Sequence, residues 1–165
     1  MLYIEMSVST TDDIYTVNIE KETIENNFYR KVLFTSRNLQ LVVQSVKPKK
    51  DIPYEIHENV DQFIRVEKGM GKLLTGPNKE HQTDLSDGIA VIVPAETWHQ
   101  IINTSDTENL KLYTIYSPPE HPKGQVEIDN PKQCGGKSHS FRNFKHPSKP
   151  TSNTKTAYDR KKFMY

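Results

Sequence analysis

The chain has 165 residues, enough for one domain with its own core, yet only 34% are hydrophobic and mean hydropathy is -0.74, so part of it should stay outside any core. The formal charge of +1 conceals an uneven split: residues 121–165 carry ten Lys+Arg against three Asp+Glu, and residues 1–120 carry twelve against eighteen. A single cysteine, Cys134, excludes an intramolecular disulfide, the longest apolar run (89–93) is far too short to span a bilayer, and the start Met1-Leu2-Tyr3-Ile4-Glu5-Met6 lacks a signal-peptide layout, so a cytoplasmic protein that is neither secreted nor membrane-bound is expected.

Residues 1–13 show no periodicity and are expected to be a flexible lead-in. Residues 14–20 alternate, with Tyr15, Val17 and Ile19 on one side, which predicts an edge strand. Residues 28–34 and 39–46 predict two strands of a hairpin, joined by Thr35-Ser36-Arg37-Asn38. Pro48 and Pro53 bracket a turn, because proline cannot donate to a central ladder. Strands are predicted over 62–67, 72–75 and 81–85, with Gly69-Met70-Gly71 breaking the first from the second and Gly76-Pro77-Asn78 turning between the second and third. Ile89 to Val93 and His99 to Asn103 form another hairpin around Pro94 to Thr97, and residues 110–116 form the last convincing strand. Many short strands with hardly a helical pattern predict an all-β barrel or sandwich, its core including Leu41, Val43, Ile64, Val91 and Val93. Ser117-Pro118-Pro119-Glu120-His121-Pro122 should end the barrel. The domain is therefore drawn at 14–120, and 121–165 is a basic, mostly disordered tail.

Two stretches carry the chemistry. Period-two alternation puts Glu55 and His57 on one face, Gln62, Ile64 and Val66 can share a face on the next strand, and His99, Ile101 and Asn103 share another. Two such hairpins facing each other bring four polar groups together. Trp98, adjacent to His99, should point away from it, and Tyr113 and Tyr116 lie on opposite strand faces, so at most one lines a pocket.

The spacing of these residues resembles the cupins, small β-barrels (double-stranded β-helix or jelly roll) whose two motifs each form a hairpin and together bind one metal. Gly88, Pro94, His99 and Asn103 fall on the second motif, with Glu96 where its inner glycine stands. Counting back from Gly69 puts Gln62 on the glutamate of the first motif, His57 on its second histidine and Glu55 on its first, while Lys49 replaces the opening glycine. The eighteen residues between Gly69 and Gly88 fit a further hairpin.

What the resemblance implies is a metal site of Glu55, His57, Gln62 and His99. This mixed N/O set suits a divalent transition metal: zinc, iron, manganese, nickel or copper. Gln62 in place of a glutamate removes one negative charge, which Glu55 in place of a histidine partly restores. The implied function is binding or turnover of a small polar molecule, a sugar, sugar phosphate or organic acid, by a metal-dependent isomerase, epimerase or dioxygenase. The alternative is a noncatalytic barrel serving structure or assembly. A homodimer is expected from the resemblance, with residues 14–20 as a candidate shared edge. The tail should make weak, salt-screened contacts with nucleic acid or acidic protein. Within it, Gly135-Gly136-Lys137-Ser138 lacks the first glycine of a phosphate loop, and Cys134, His139 and His146 lack the paired spacing of a zinc site.

Overall fold

A computed structural model describes residues 14–131 of the chain. The expected lead-in at 1–13, the tail from 132 onward and the fragments around Cys134 and Gly135 lie outside the described residues.

Among the described residues one helix, α1 (Ile19–Glu25), precedes ten strands: β1 (Arg30–Thr35), β2 (Gln40–Val46), β3 (Asp51–Glu55), β4 (Asp61–Lys68), β5 (Met70–Thr75), β6 (His81–Ser86), β7 (Ala90–Val93), β8 (His99–Asn103), β9 (Leu110–Ser117) and β10 (Val126–Glu127). They form two antiparallel sheets, ordered β10-β1-β2-β9-β4-β7 and β3-β8-β5-β6. This is the jelly-roll barrel expected of the chain, with the core between the sheets. At its centre Val46, Ile52, Ile64, Val66, Leu73, Leu85, Val93, Ile101, Leu110 and Leu112 pack together. Val91, half-buried, packs against them.

Besides Pro53, which stands within β3, the edge strand of the smaller sheet where a missing donor is tolerated, and not at the end of a turn, two local expectations fail. Residues 14–20 are not a strand: 14–18 are irregular and α1 begins at Ile19. Three alternating apolar residues are outweighed by helix-start chemistry. The Asn18 side chain accepts from Lys21 N at 3.0 Å, Glu20 and Glu22 sit in the first turn where the helix dipole favours negative charge, and Thr23 is fully buried. The helix lies on the outer face of the larger sheet against β2, β4 and β9, which closes off Val43. Leu41 shares this outer face, half-buried, and so is not part of the barrel interior.

The second failure is the end of the barrel. Residues 121–131 belong to the fold, because β10 pairs with β1, Asn130 is buried and donates to Asp51 O, and Arg30 pairs with Glu127 at 2.8 Å. Low apolar content had marked this segment as tail. Backbone pairing and ion pairing hold it instead.

Candidate metal and ligand site

Register builds the site. The last residue of β3, Glu55, pairs with the first of β8, His99, so their side chains enter the barrel side by side. His57 comes from the irregular segment just after β3 and not from the strand itself. Its backbone is fixed by the other motif, since Glu96 N donates to His57 O at 2.7 Å. The two imidazole centroids are 5.4 Å apart, and one ligand atom from each of Glu55, His57 and His99 lies within 4.8 Å of the others. Gln62 enters from the opposite sheet on the face it shares with Ile64 and Val66, 2% exposed, beside Tyr116. Strand parity alone does not place this set: a register shift between Ile52 and Glu55 and the irregular segment that carries His57 bring these two beside His99, while Gln62 enters on its strand face.

Hydrogen bonds decide which atoms face inward. Thr97 O can only accept, and it lies 2.9 Å from His99 Nδ1, so Nδ1 carries the proton and Nε2 presents its lone pair. Gln62 Nε2 donates to the Tyr116 hydroxyl at 3.1 Å, which turns Oε1 the other way. His57 Nδ1 is 3.4 Å from Glu120 Oε1, leaving Nε2 to face Glu55 at 3.6 Å. His57 Nε2, His99 Nε2 and Gln62 Oε1 are all buried without a hydrogen bond to the protein. Buried polar atoms are nearly always bonded, so three inward-facing lone pairs beside a carboxylate are the electron-pair set a divalent cation requires. The donor set fits a metal ion.

Each protonation shift has a local cause. The Glu120 carboxylate beside His57 raises that imidazole's pKa against the opposing pull of burial, and the same contact lowers that of Glu120. Burial lowers that of His99, which keeps the ring neutral. It also pushes the Tyr116 phenol up to about 12 and His121 down to about 4.

Glu120 and His121 were not among the sequence-predicted site residues. The 118–122 segment folds back over the barrel, where Gln40 Nε2 donates to His121 O at 2.7 Å and Gln40 Oε1 accepts from His121 N at 2.9 Å. His121 then stands edge-on to Tyr116 at 5.0 Å, and Tyr116 edge-on to His57 at 5.9 Å. Tyr116 is thus the inward tyrosine, while Tyr113 packs beside Phe63. The signal was present as Glu120-His121 directly after the last long strand, but a loop histidine in a proline-rich segment reads as solvent-exposed. Trp98 points outward as expected and stacks on Tyr54 at 4.7 Å. Glu96 is exposed and does not reach the site.

With fold and site in view, the class is defined: a barrel with a His/Glu cluster inside, which could hold a metal ion. Residues 42–116 match the family model described as Cupin domain. The chain is 48% identical over 139 residues to protein L612 of Acanthamoeba polyphaga mimivirus, covering 84% of this chain and 86% of that one. It is 46% identical over 115 residues to YrkC of Bacillus subtilis (strain 168), covering 68% of this chain and 61% of YrkC. The crystal structure of BH2720 from Bacillus halodurans superposes with a TM-score of 0.69 at 42% identity, covering 71% of this chain and 90% of that one. The chain belongs to the cupin superfamily. No helix among the described residues is long and apolar enough to cross a membrane.

Proposed function

We propose that the chain is a metal-binding cupin in which Glu55, His57, Gln62 and His99 hold one divalent transition metal, and that a small polar molecule enters the barrel to be bound or turned over beside it. The observation that supports this reading is the convergence of Glu55, His57 and His99 within 4.8 Å of one another, with both imidazole Nε2 atoms and the Gln62 Oε1 buried and without a hydrogen bond. Such an ion would supply Lewis acidity, or redox chemistry if it is iron, manganese or copper, which corresponds to isomerase or epimerase action in the one case and dioxygenase action in the other.

The chain's own groups have separable tasks. Thr97 O holds the His99 tautomer, and Glu120 orients His57 from its far nitrogen, the arrangement by which outer partners aim metal-ligating imidazoles. The Tyr116 phenol stays protonated at neutral pH and fixes the Gln62 amide, so a carbonyl oxygen and not an N–H faces the cluster. The test is the thermal midpoint on adding each candidate metal to stripped protein. The native chain should gain several degrees with at least one metal, and His57→Ala combined with His99→Ala should abolish the gain while leaving the metal-free midpoint close to native. An equal gain in the double variant would reject the ligand assignment.

A homodimer is a second proposal. Register places Phe34, Leu41, Ile115, Phe63 and Ile92 in one row across five strands of the larger sheet's outer face, and Ile92 is 72% exposed. This apolar row replaces residues 14–20 as the candidate contact.

A further inference from the structure

Beside the proposed ligands the barrel interior carries a second polar group of side chains. Arg30 of β1, Gln44 of β2 and Thr114 of β9 all face inward, since they share strand faces with Val32, Val42 and Tyr116, which pack together inside. Arg30 is 9% exposed, and Gln44 and Thr114 are wholly buried. The Arg30 Nε, both amide atoms of Gln44, the Thr114 hydroxyl and the buried Tyr29 hydroxyl have no protein partner. Arg30 and Gln44 are directly opposed on neighbouring strands, close enough for their side chains to meet, yet Nε does not donate to the amide oxygen. Arg30 Nε and both atoms of the Gln44 amide are thus left unbonded on adjacent strands, an arrangement that can receive a ligand between them.

The guanidinium is held ready for this. Its Nη1 donates to Glu127 Oε2 at 2.8 Å, and Glu127 Oε1 in turn accepts from Gln125 Nε2 at 2.7 Å. Arg30 is therefore pinned from outside by β10 while its Nε stays free. Its charge acts on His57, Tyr116, Glu120 and His121, which places it within electrostatic range of the cluster.

We infer that Arg30 and Gln44 form a carboxylate-binding pole inside the barrel, so that the small polar ligand is a hydroxy acid: its carboxylate accepts from Arg30 Nε and Gln44 Nε2, and its hydroxyls bond Gln44 Oε1 and the Tyr29 hydroxyl. A cationic donor beside an amide donor matches an oxyanion, and the accompanying acceptors match hydroxyl groups. A neutral polyol offers the unbonded Nε donor no charged acceptor. This inference rests on the proposed metal site for the far end of the ligand and for the positive charge that offsets Glu55 and Glu120.

The test is calorimetric titration of the full chain with glycolate, tartrate and gluconate, with sorbitol as the neutral counterpart of gluconate and with inorganic phosphate. At least one hydroxy acid should bind, and sorbitol should bind at least about tenfold more weakly than gluconate, because a site built for a charged group rejects the analogue lacking it. Arg30→Lys and Gln44→Leu should each weaken the binding about tenfold or more with metal content unchanged. Gln44→Leu should also keep or raise the thermal midpoint, since it removes two unbonded buried atoms, whereas a purely structural glutamine would lower it on substitution. Equal binding of sorbitol, preferential binding of phosphate, no hydroxy-acid binding at all, or variants with native affinity would each overturn the inference. Its failure is distinct from that of the metal reading: metal bound without hydroxy-acid binding removes this inference alone, and Arg30-dependent binding by a chain that takes up no metal removes the metal site alone.

Discussion

Glu96 has φ 63°, in the left-handed region where the cupin motif has glycine, and its backbone N–H ties the turn to His57. A side chain there costs about 1 kcal/mol relative to glycine, and this exposed carboxylate gains nothing from the site. Glu96→Gly should therefore raise stability by about 0.5–1 kcal/mol in urea denaturation with the His57 contact retained. Asn103, another motif residue, has a structural task instead: wholly buried, it donates to Val46 O and Glu108 O and accepts from Ser105 N. The histidines divide by environment. In metal-free protein His121, with its folded pKa near 4 against 6.5, does not take up the proton that the unfolded chain binds between those values. Its contribution to stability therefore falls as pH drops from 6.5 toward 4. His57 runs the opposite way: its raised folded pKa adds stability below 6.5, and this is lost as pH rises through that folded value. His121→Gln should flatten the stability profile between pH 4 and 6.5, and ring resonances should show His57 titrating above His121. A single shared midpoint would contradict this account of the two rings.

At the scale of elements, β10 is only two residues long, yet it carries the Glu127 partner of a largely buried Arg30. Truncation after Pro122 leaves that guanidinium unpaired, at a cost of about 3 kcal/mol or more, or roughly 10 °C in Tm. Truncation after Pro131 retains every described contact and should leave Tm near native; equal Tm values for the two would show that residues 123–131 add nothing. This also marks the limit of what the sequence makes legible. Period-two alternation is a local signal, and it finds β1, β2 and β4 to β9, turns Gln62 inward with Ile64 and Val66, and sends Trp98 outward. Spacing finds His99, with Gly69 as the anchor that fixes His57 and Glu55. Gly69 is needed for a physical reason: φ is 94° and an added Cβ would stand 2.8 Å from Asn109 O. Pairings that join distant residues have no local trace. Arg30 and Glu127 are 97 positions apart and Gln40 and His121 are 81 apart, so Arg30 and Gln44 read as ordinary strand residues and Glu120 as part of the proline-rich segment that ends the barrel. The strand expected at 14–20 failed for the opposite reason, since a local cap at Asn18 outweighed a weak alternation.

Over the whole molecule, the interior holds a larger apolar cluster around Leu110 and Leu112 and a smaller one of Val32, Val42, Val60 and Tyr116, so removing the proposed metal ligands, which belong to neither, should spare most of the core. The outer apolar row predicts self-association. Sedimentation at micromolar concentration should give a dimer, and Ile92→Glu or Phe63→Lys should shift it to monomer without lowering Tm by more than about 1 kcal/mol equivalent. A native chain that sediments as a monomer would dismiss the row as a contact. Elemental analysis of untagged protein purified without chelators tests the proposed metal centre most directly. The expected result is about one transition-metal ion per chain, lost in His57→Ala with His99→Ala. Protein that carries no metal and takes up none from zinc, iron, manganese, nickel or copper would contradict it.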